Sequence, residues 1–500
     1  MMRTPADPGI QVIPGPRRSR PRVCVIGGGI AGLSAAHNVL ANAKHPIDVT
    51  VLEASDALGG KLRVSEIADV PVDEGAEAVQ ATRPEAVALA RAVGLDRDLV
   101  HPEVFGASLW IGNELLKMPP TVMGIPTDLR ALTASKVLPL NTILKMPLEY
   151  HKTATRFDND VSVGAFVEER LGREVVDTLV EPVLGGVYAG RADALSLEAT
   201  VPALFRELRN QRSLLKAAEF TSRGGGRQAG ARRGPVFAGI RGGVGRLPAA
   251  IADDLVSLGA DVRRNAPVRS IHRLADHWRV IVGTPDNQEV LEAEEIILAV
   301  PPQQASDLLA HICPPAANDL GLIDMSSMAT VAMAYPAKAV GPMRGSGFLV
   351  PPSEQRTIKA ANYASRKWDW VSRRAKTRRG ESDSMVMLRA SVGRLGEEEV
   401  LSLDDKEIAA RVHDDLQAAI GISELPLQYR VTRWNDAIPQ YSTGHVRRVE
   451  RIRAAVSGVP GLEVCGAAFD GVGVAAVIGS ANFAARAVSD RLAAHALVLD

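Results

Sequence analysis

The chain has 500 residues, more than one compact core usually holds, so two or three lobes are expected. Lys+Arg and Asp+Glu each number 58, and a net charge of zero excludes a nucleic-acid binder that relies on a basic surplus. Cys24, Cys313 and Cys465 lie far apart without CxxC spacing, which excludes a disulfide framework and a cysteine-rich metal centre.

In chain order, residues 1–20 are rich in Pro and Arg and read as a disordered tail. Next, "RRSRPR" leads into "VCVIGGGIAGL", which imitates an export signal. Three consecutive glycines interrupt that apolar stretch, and its surroundings fit a different pattern. "RVCVI" reads as a short buried parallel strand, "LSAAHNVLANA" as a helix, and "IDVTVLEAS" as a second strand. Gly27, Gly29 and Gly32 satisfy G-x-G-x-x-G between strand and helix, with Glu53 about 20 residues further on. Gly27 makes the tight turn, Gly29 lets a pyrophosphate approach the backbone, and Gly32 lets the helix pack close to the strand. The helix N-terminus offers free N–H groups and positive dipole to the phosphates, and Glu53 accepts bonds from a ribose diol. The expected first element is therefore a dinucleotide-binding fold.

The glycine pair in "ASDALGGKLRV" and Gly75 in "VPVDEGAEA" bring backbone near the cofactor again, which suits FAD better than the shorter NAD. "GGVGRL" near residue 245 lacks a buried strand before it and a ribose acid after it, so a single dinucleotide site is expected and no site for NADPH. Strands are expected near Val268, in "WRVIVGT" and in "EVLEAEEIILAVPP". The stretch "SRGGGRQAGARRG", residues 222–234, reads as a flexible basic insertion. "GLEVCGAAFDGVGVAAVIGSANFAARAVSDRL" reads as strand, glycine loop and long helix starting near Gly473. The positive end of that helix would stabilise an anionic reduced flavin.

The motifs "VIGGGIAGL", "LEASDALGGKL", "VDEGAEA", "MGIPTDLRAL", "LVEPVLGGVYAG", "LSLEAT", "TRWNDAIPQYSTGH" and "CGAAFDGVGV" together resemble one family, the bacterial coproporphyrinogen III and protoporphyrinogen oxidases of haem synthesis. These belong to the FAD-dependent amine-oxidase-like superfamily. The resemblance runs from Val23 onward and implies an α/β fold: a Rossmann-type FAD-binding domain with a mixed-sheet substrate domain and a helical lobe. The implied boundaries are 21–100, 238–305 and 430–500 for the FAD domain, 101–189 for the helical lobe, and 190–237 with 306–429 for the substrate domain. The residues it implies for the FAD are Gly27, Gly28, Gly29, Ile30, Ala31, Gly32, Glu53, Ala54, Lys61, Gly75, Ala76, Glu77, Ala78, Val268, Trp434, Val472, Gly473 and Val474. The sequence departs from the family at Ala76, where relatives often carry proline, and at "GVGVAAVI" in the last loop.

The implied activity is oxidation of coproporphyrinogen III to coproporphyrin III, with oxygen as acceptor and hydrogen peroxide as product, and with protoporphyrinogen IX as the alternative substrate. The implied partners are the porphyrinogen, oxygen and a transient hand-over to the next haem-synthesis enzyme, in the cytoplasm, with at most peripheral membrane contact. No metal is expected, and no catalytic residue is assigned. Arg83 in "ATRPE" reads either as a cation for a substrate propionate or as a solvated loop arginine. His445 reads either as a proton-transfer residue or as a structural histidine, and Tyr441 and Trp434 read as pocket or flavin walls. Other readings of the first motifs are an amine oxidase, a carotenoid desaturase, and a scaffold of the same fold that binds no flavin.

Overall fold

The computed structural model describes residues 20–154, 157–224, 235–377 and 384–499. The expected tail at 1–20, apart from Arg20, and most of the basic insertion at 222–234 lie outside the described residues.

Strand β1 (Arg22–Ile26) is four-fifths buried, and its alternate residues face two different cores. Val23 and Val25 pack against helices α1 (Ile30–Ala41), α2 (Arg246–Ser257) and α3 (Val474–Leu499). Cys24 and Ile26 pack on the other face against a three-stranded antiparallel meander, Val268–Arg273, Trp278–Thr284 and Asn287–Ala293. A strand buried on both faces needs apolar residues throughout, as "RVCVI" supplies. With β2 (Asp48–Leu52), β3 (Asp261–Arg263), β4 (Glu295–Leu298) and β5 (Leu462–Val464) it forms a five-stranded sheet in the order β3-β2-β1-β4-β5, parallel throughout.

A second, seven-stranded mixed sheet runs in the order Gln428–Pro439, Met325–Pro336, Met385–Val392, Ile358–Asn362, Gly347–Leu349, Ser108–Ile111, Glu114–Lys117. Only the pairing of Gly347–Leu349 with Ser108–Ile111 is parallel. Its long strand Met325–Pro336 alternates in the manner of a two-faced sheet: Ala329, Val331, Met333 and Tyr335 enter one core, Ala332 and Ala334 another. The helical lobe has its own core, from Leu132 through Phe166, Leu179, Leu184 and Leu204 to Ala218.

Three boundaries differ from those implied by the resemblance. The stretch 101–189 opens with a hairpin, Ser108–Ile111 and Glu114–Lys117, that extends the mixed sheet. The helical lobe runs past 189, because the helices Pro202–Leu208 and Leu214–Ser222 bury their apolar faces in the same core. The strand Gln428–Pro439 belongs to the mixed sheet, being paired along most of its length with Met325–Pro336.

Candidate functional site: a cleft with a backbone end and a side-chain end

At the carboxyl end of β1 the chain turns at Gly27, whose φ is +111° and where a Cβ would lie 2.6 Å from the Ala299 carbonyl oxygen. The Gly27 N–H donates to the Leu52 carbonyl at 2.8 Å, tying the turn to β2. A Cβ on Gly32 would lie 1.8 Å from the Gly27 carbonyl oxygen, so only glycine lets α1 sit this close to the turn. A Cβ on Gly29 would meet nothing within 4 Å, since it points into open space at the N-terminus of α1. The loop at Gly59 runs alongside, with the Gly59 N–H donating to Gly28 O at 2.9 Å. Ile30 and Ala31 open α1 and turn inward or partly inward.

Glu53 stands at the end of β2. Its Oε2 accepts from the Gly28 N–H at 2.8 Å, and its Oε1 from the Ser55 N–H and hydroxyl, each at 2.8 Å. A carboxylate accepts about four hydrogen bonds, so three donors fix its position and leave room for a hydroxyl. Ala54 is exposed beside it. Val268 lies two residues past Ala266, whose N–H donates to Glu53 O at 2.8 Å, and it packs into the core beneath.

The other end of the cleft is assembled from remote segments. Gly75 lies over Lys61, and a Cβ there would be 1.9 Å from the Lys61 carbonyl oxygen. Lys61 keeps accessible surface although protein surrounds its ammonium. Nζ donates to the Ala437 carbonyl, and desolvation lowers its pKa to about 8. Between Ser326 and Met328 the register of the long strand pair shifts, and Asp436 takes a positive φ of 44°. This bulge aims the Ala437 carbonyl at Lys61 and brings the Trp434 indole N–H to Glu74 O at 3.2 Å. Trp434 is thereby placed at Gly75.

The acids of "VDEGAEA" anchor this segment. Asp73 accepts from the N–H groups of Val244 and Gly245, at 3.0 and 2.9 Å, in the turn before α2. Burial pushes its carboxyl up to about 6, against those two bonds. Glu77 pairs with Lys367 and, at 3.1 Å, with Arg389, whose Nη2 also reaches the Gly75 carbonyl at 2.6 Å. Burial opposes ionisation of Glu77, but the charges of Lys367 and Arg389 outweigh it and hold the carboxyl at about 2. Ala76 is exposed and Ala78 half-buried on either side of it.

The last wall is the loop 466–473 before α3. Val472 packs against the helical lobe and Val474 into the Rossmann core, so the loop spans two lobes. A Cβ on Gly473 would meet nothing within 4 Å, so a second helix N-terminus faces open space. Tyr441 holds the loop from behind: its hydroxyl donates to Ala467 O at 2.5 Å and accepts from the Gly471 N–H at 2.8 Å. The His445 ring stacks on Tyr441 at 4.0 Å, with Nε2 at 2.9 Å from Ala468 O.

Residues 30–489 match the family model described as flavin containing amine oxidoreductase. The chain belongs to this family. A relative named Coproporphyrinogen III oxidase, from Mycobacterium bovis, is 33% identical over 94% of this chain and 98% of its own. A Protoporphyrinogen oxidase from Macaca fascicularis is 30% identical over 93% of this chain and 98% of its own. A solved protein from Exiguobacterium sp. 255-15 superposes with a TM-score of 0.80 at 27% identity, covering 95% of this chain and 99% of that one.

The residues present fit the FAD of this flavin-containing family. At Gly29 and Gly473, the two positions where close approach needs glycine, a side chain would project into open space, each at a helix N-terminus. Glu53 is oriented at one end, and Lys61, Gly75 and Trp434 converge at the other.

One sequence expectation changes, that for Tyr441, and the structure adds geometry to the two readings left open for His445 and for Arg83. His445 is 1% exposed and engaged on the Ala468 carbonyl; burial lowers its pKa to about 4, and it acts as a prop for the loop. Tyr441 is also 1% exposed and supports the loop from behind rather than lining a pocket. Arg83 is half-exposed, with Nη2 3.2 Å from Glu85 Oε1 and against Gly479 on α3. Sequence reading missed Lys367, Arg389 and the capping role of Asp73. The density of acids in "VDEGAEA" was the available signal, since buried carboxylates need cationic or N–H partners from elsewhere in the chain.

Proposed function

We propose that this chain is an FAD oxidase that converts coproporphyrinogen III to coproporphyrin III. When bound, FAD would supply the two-electron redox chemistry of this six-electron oxidation, with oxygen as the final acceptor and hydrogen peroxide as its product. The chain's own residues bind and orient. Gly29 and the N-terminus of α1 take the pyrophosphate, Glu53 a ribose, and Lys61, Gly75, Trp434 and Gly473 the ring end. The N-terminus of α3 would offer positive partial charge to the ring. Tyr441 and His445 hold that helix start in place. Lys367 and Arg389 keep Glu77 ionised and the Gly75 backbone fixed.

The observation that carries this reading is that the likeness to the Mycobacterium bovis enzyme runs over 94% of the chain, and so takes in the segments of both ends of the cleft. Anaerobic mixing with each porphyrinogen tests it. Coproporphyrinogen III is expected to bleach the flavin faster than protoporphyrinogen IX; the reverse order establishes the second reading, which the Macaca likeness supports. Absence of bleaching by either removes both. Arg83 is assigned to a substrate propionate: its pairing with Glu85 is half-exposed and therefore weak, so the guanidinium is available. Arg83→Ala is expected to raise KM for coproporphyrinogen roughly 5- to 150-fold with flavin content unchanged. An unchanged KM removes it from the site. The working setting is the cytoplasm, with product handed to the next enzyme of haem synthesis.

A further inference from the structure

One row of side chains crosses the mixed sheet from the ring end of the cleft to the helical lobe. Residues directly opposite on neighbouring strands share a face. Thr330 is opposite Ser391, Ser391 opposite Ala360, and Ala360 opposite Leu349. All four keep accessible surface. The Thr330 hydroxyl donates to Glu74 O at 2.6 Å, which sets one end of the row beside Gly75. The other end lies under the helix Glu181–Tyr188, where a Cβ on Gly186 would be 3.6 Å from Leu349 Cδ2. Three strand spacings make the row roughly 14 Å long.

At the helical end, five charged side chains from the two lobes form one network. Glu181 lies 3.0 Å from Arg191 Nε and 3.3 Å from Arg394 Nη1, and accepts from the Ala192 N–H at 2.6 Å. Glu397 lies 3.1 Å from Arg191 Nη1, accepts from Arg394 Nε at 2.8 Å and pairs with Lys359 Nζ at 2.6 Å. The network adjoins the row twice. Lys359 directly precedes Ala360, and a Cβ on Gly185 would lie 3.8 Å from Arg394 Nη1. Three cations here share two carboxylates. Neighbouring acids are engaged elsewhere: Asp193 pairs with Arg173 at 2.9 Å, and Glu398 accepts from the Gly396 N–H at 2.8 Å. Two pairs would be enough to join the lobes, so Lys359 adds a charge that only shares Glu397. The Glu181 side chain is 3% exposed, but that of Lys359 is 19% and that of Arg191 42% exposed, so the surplus charge can be reached. A partly desolvated surplus cation is stabilised by an anion brought to it.

We propose that Lys359 and Arg191 receive a carboxylate of the substrate at the end of the row away from the flavin. This inference rests on the porphyrinogen reading above and names residues that decide between its two substrates. Coproporphyrinogen III carries four propionates and protoporphyrinogen IX two, so a cationic far end favours the first.

Steady-state kinetics with both porphyrinogens, and equilibrium titration with coproporphyrin III, test it on the full-length, flavin-loaded protein. Lys359→Met is expected to raise KM for coproporphyrinogen III and Kd for coproporphyrin III roughly 10-fold, with kcat and flavin content little changed and protoporphyrinogen IX less affected. Arg191→Met is expected to act in the same direction but less, because its side chain is more exposed. Glu397→Gln has the opposite sign. It removes the carboxylate that competes with the substrate, and is expected to lower Kd for coproporphyrin III roughly 3-fold. A network that only joined the lobes would weaken binding in all three variants. Unchanged constants in Lys359→Met overturn the proposal, as does weaker binding in Glu397→Gln. A wild-type flavin that neither porphyrinogen bleaches overturns the substrate reading itself, whereas bleaching by coproporphyrinogen III with indifferent variants overturns the role of Lys359 and Arg191 alone.

Discussion

The two ends of the cleft are built differently. The phosphate end is made of backbone: Gly27, Gly29, Gly32 and the start of α1 lie within one strand–turn–helix unit, and each does its task by lacking a side chain. The ring end is made of side chains and loops from segments hundreds of residues apart: Lys61, the Gly75 segment, Lys367, Arg389, Trp434, Tyr441 and the loop before α3. At its glycines the first is damaged by adding atoms. The second can be damaged by removing one polar atom, because each buried group depends on a distant partner.

The strongest break in this contrast is Glu77→Gln. It leaves Lys367 and Arg389 without their carboxylate in a nearly buried site, and is expected to cost about 3–5 kcal/mol, measured by denaturant unfolding. The pH dependence has a matching sign. Glu77 is held at about 2, so its ion-pair stabilisation is complete above its ordinary pKa and is lost as pH falls from there towards 2. His445, lowered to about 4, contributes stability that is present above its ordinary pKa and is lost as pH falls from there to 4. His445→Phe is therefore expected to flatten the fall of stability with pH between the ordinary histidine pKa and 4, a range in which Asp73, raised to about 6, contributes with the opposite sign. A slope over that range that His445→Phe leaves unchanged would sink the assignment.

At the phosphate end, Gly32→Ala drives a methyl against the Gly27 carbonyl and is expected to cost about 3 kcal/mol of fold stability and all flavin. A variant that keeps its flavin would show that the turn can open. Tyr441→Phe comes next, at about 1–3 kcal/mol, from loss of one donor and one acceptor on the loop 467–471. Its distinguishing readout is a shifted flavin absorption band with normal FAD content, since the residue acts by positioning the start of α3. An unmoved spectrum would leave Tyr441 a core residue only. The smallest effect on the fold is expected from Gly29→Val: its Cβ would meet nothing in the protein, so apo stability should change by less than about 0.5 kcal/mol while the purified protein is colourless. Stoichiometric FAD in this variant would overturn the placement of the pyrophosphate.

How much was legible follows from this division. The strand–turn–helix at 22–41 and the acid at Glu53 act through neighbours in sequence, so glycine spacing, buried-strand composition and the position of one carboxylate were sufficient to read them. Arg83 was legible only as a cation with two readings open, because its pairing with Glu85 against Gly479 on α3 depends on how the helix Pro84–Ala92 sits on α3.

Residues 22–53 determine their own geometry because backbone sterics act at once on the chain that carries them: a Cβ at Gly32 would collide with a carbonyl five residues away. The ring end had no such local signal. Whether Tyr441 lines a pocket or supports a loop depends on which face of its segment the helical lobe covers. Whether Glu77 touches a cofactor or an arginine depends on where Met385–Val392 pairs in the mixed sheet. Those outcomes are set by burial, which is a property of the assembled lobes, and desolvation then makes each pairing obligatory.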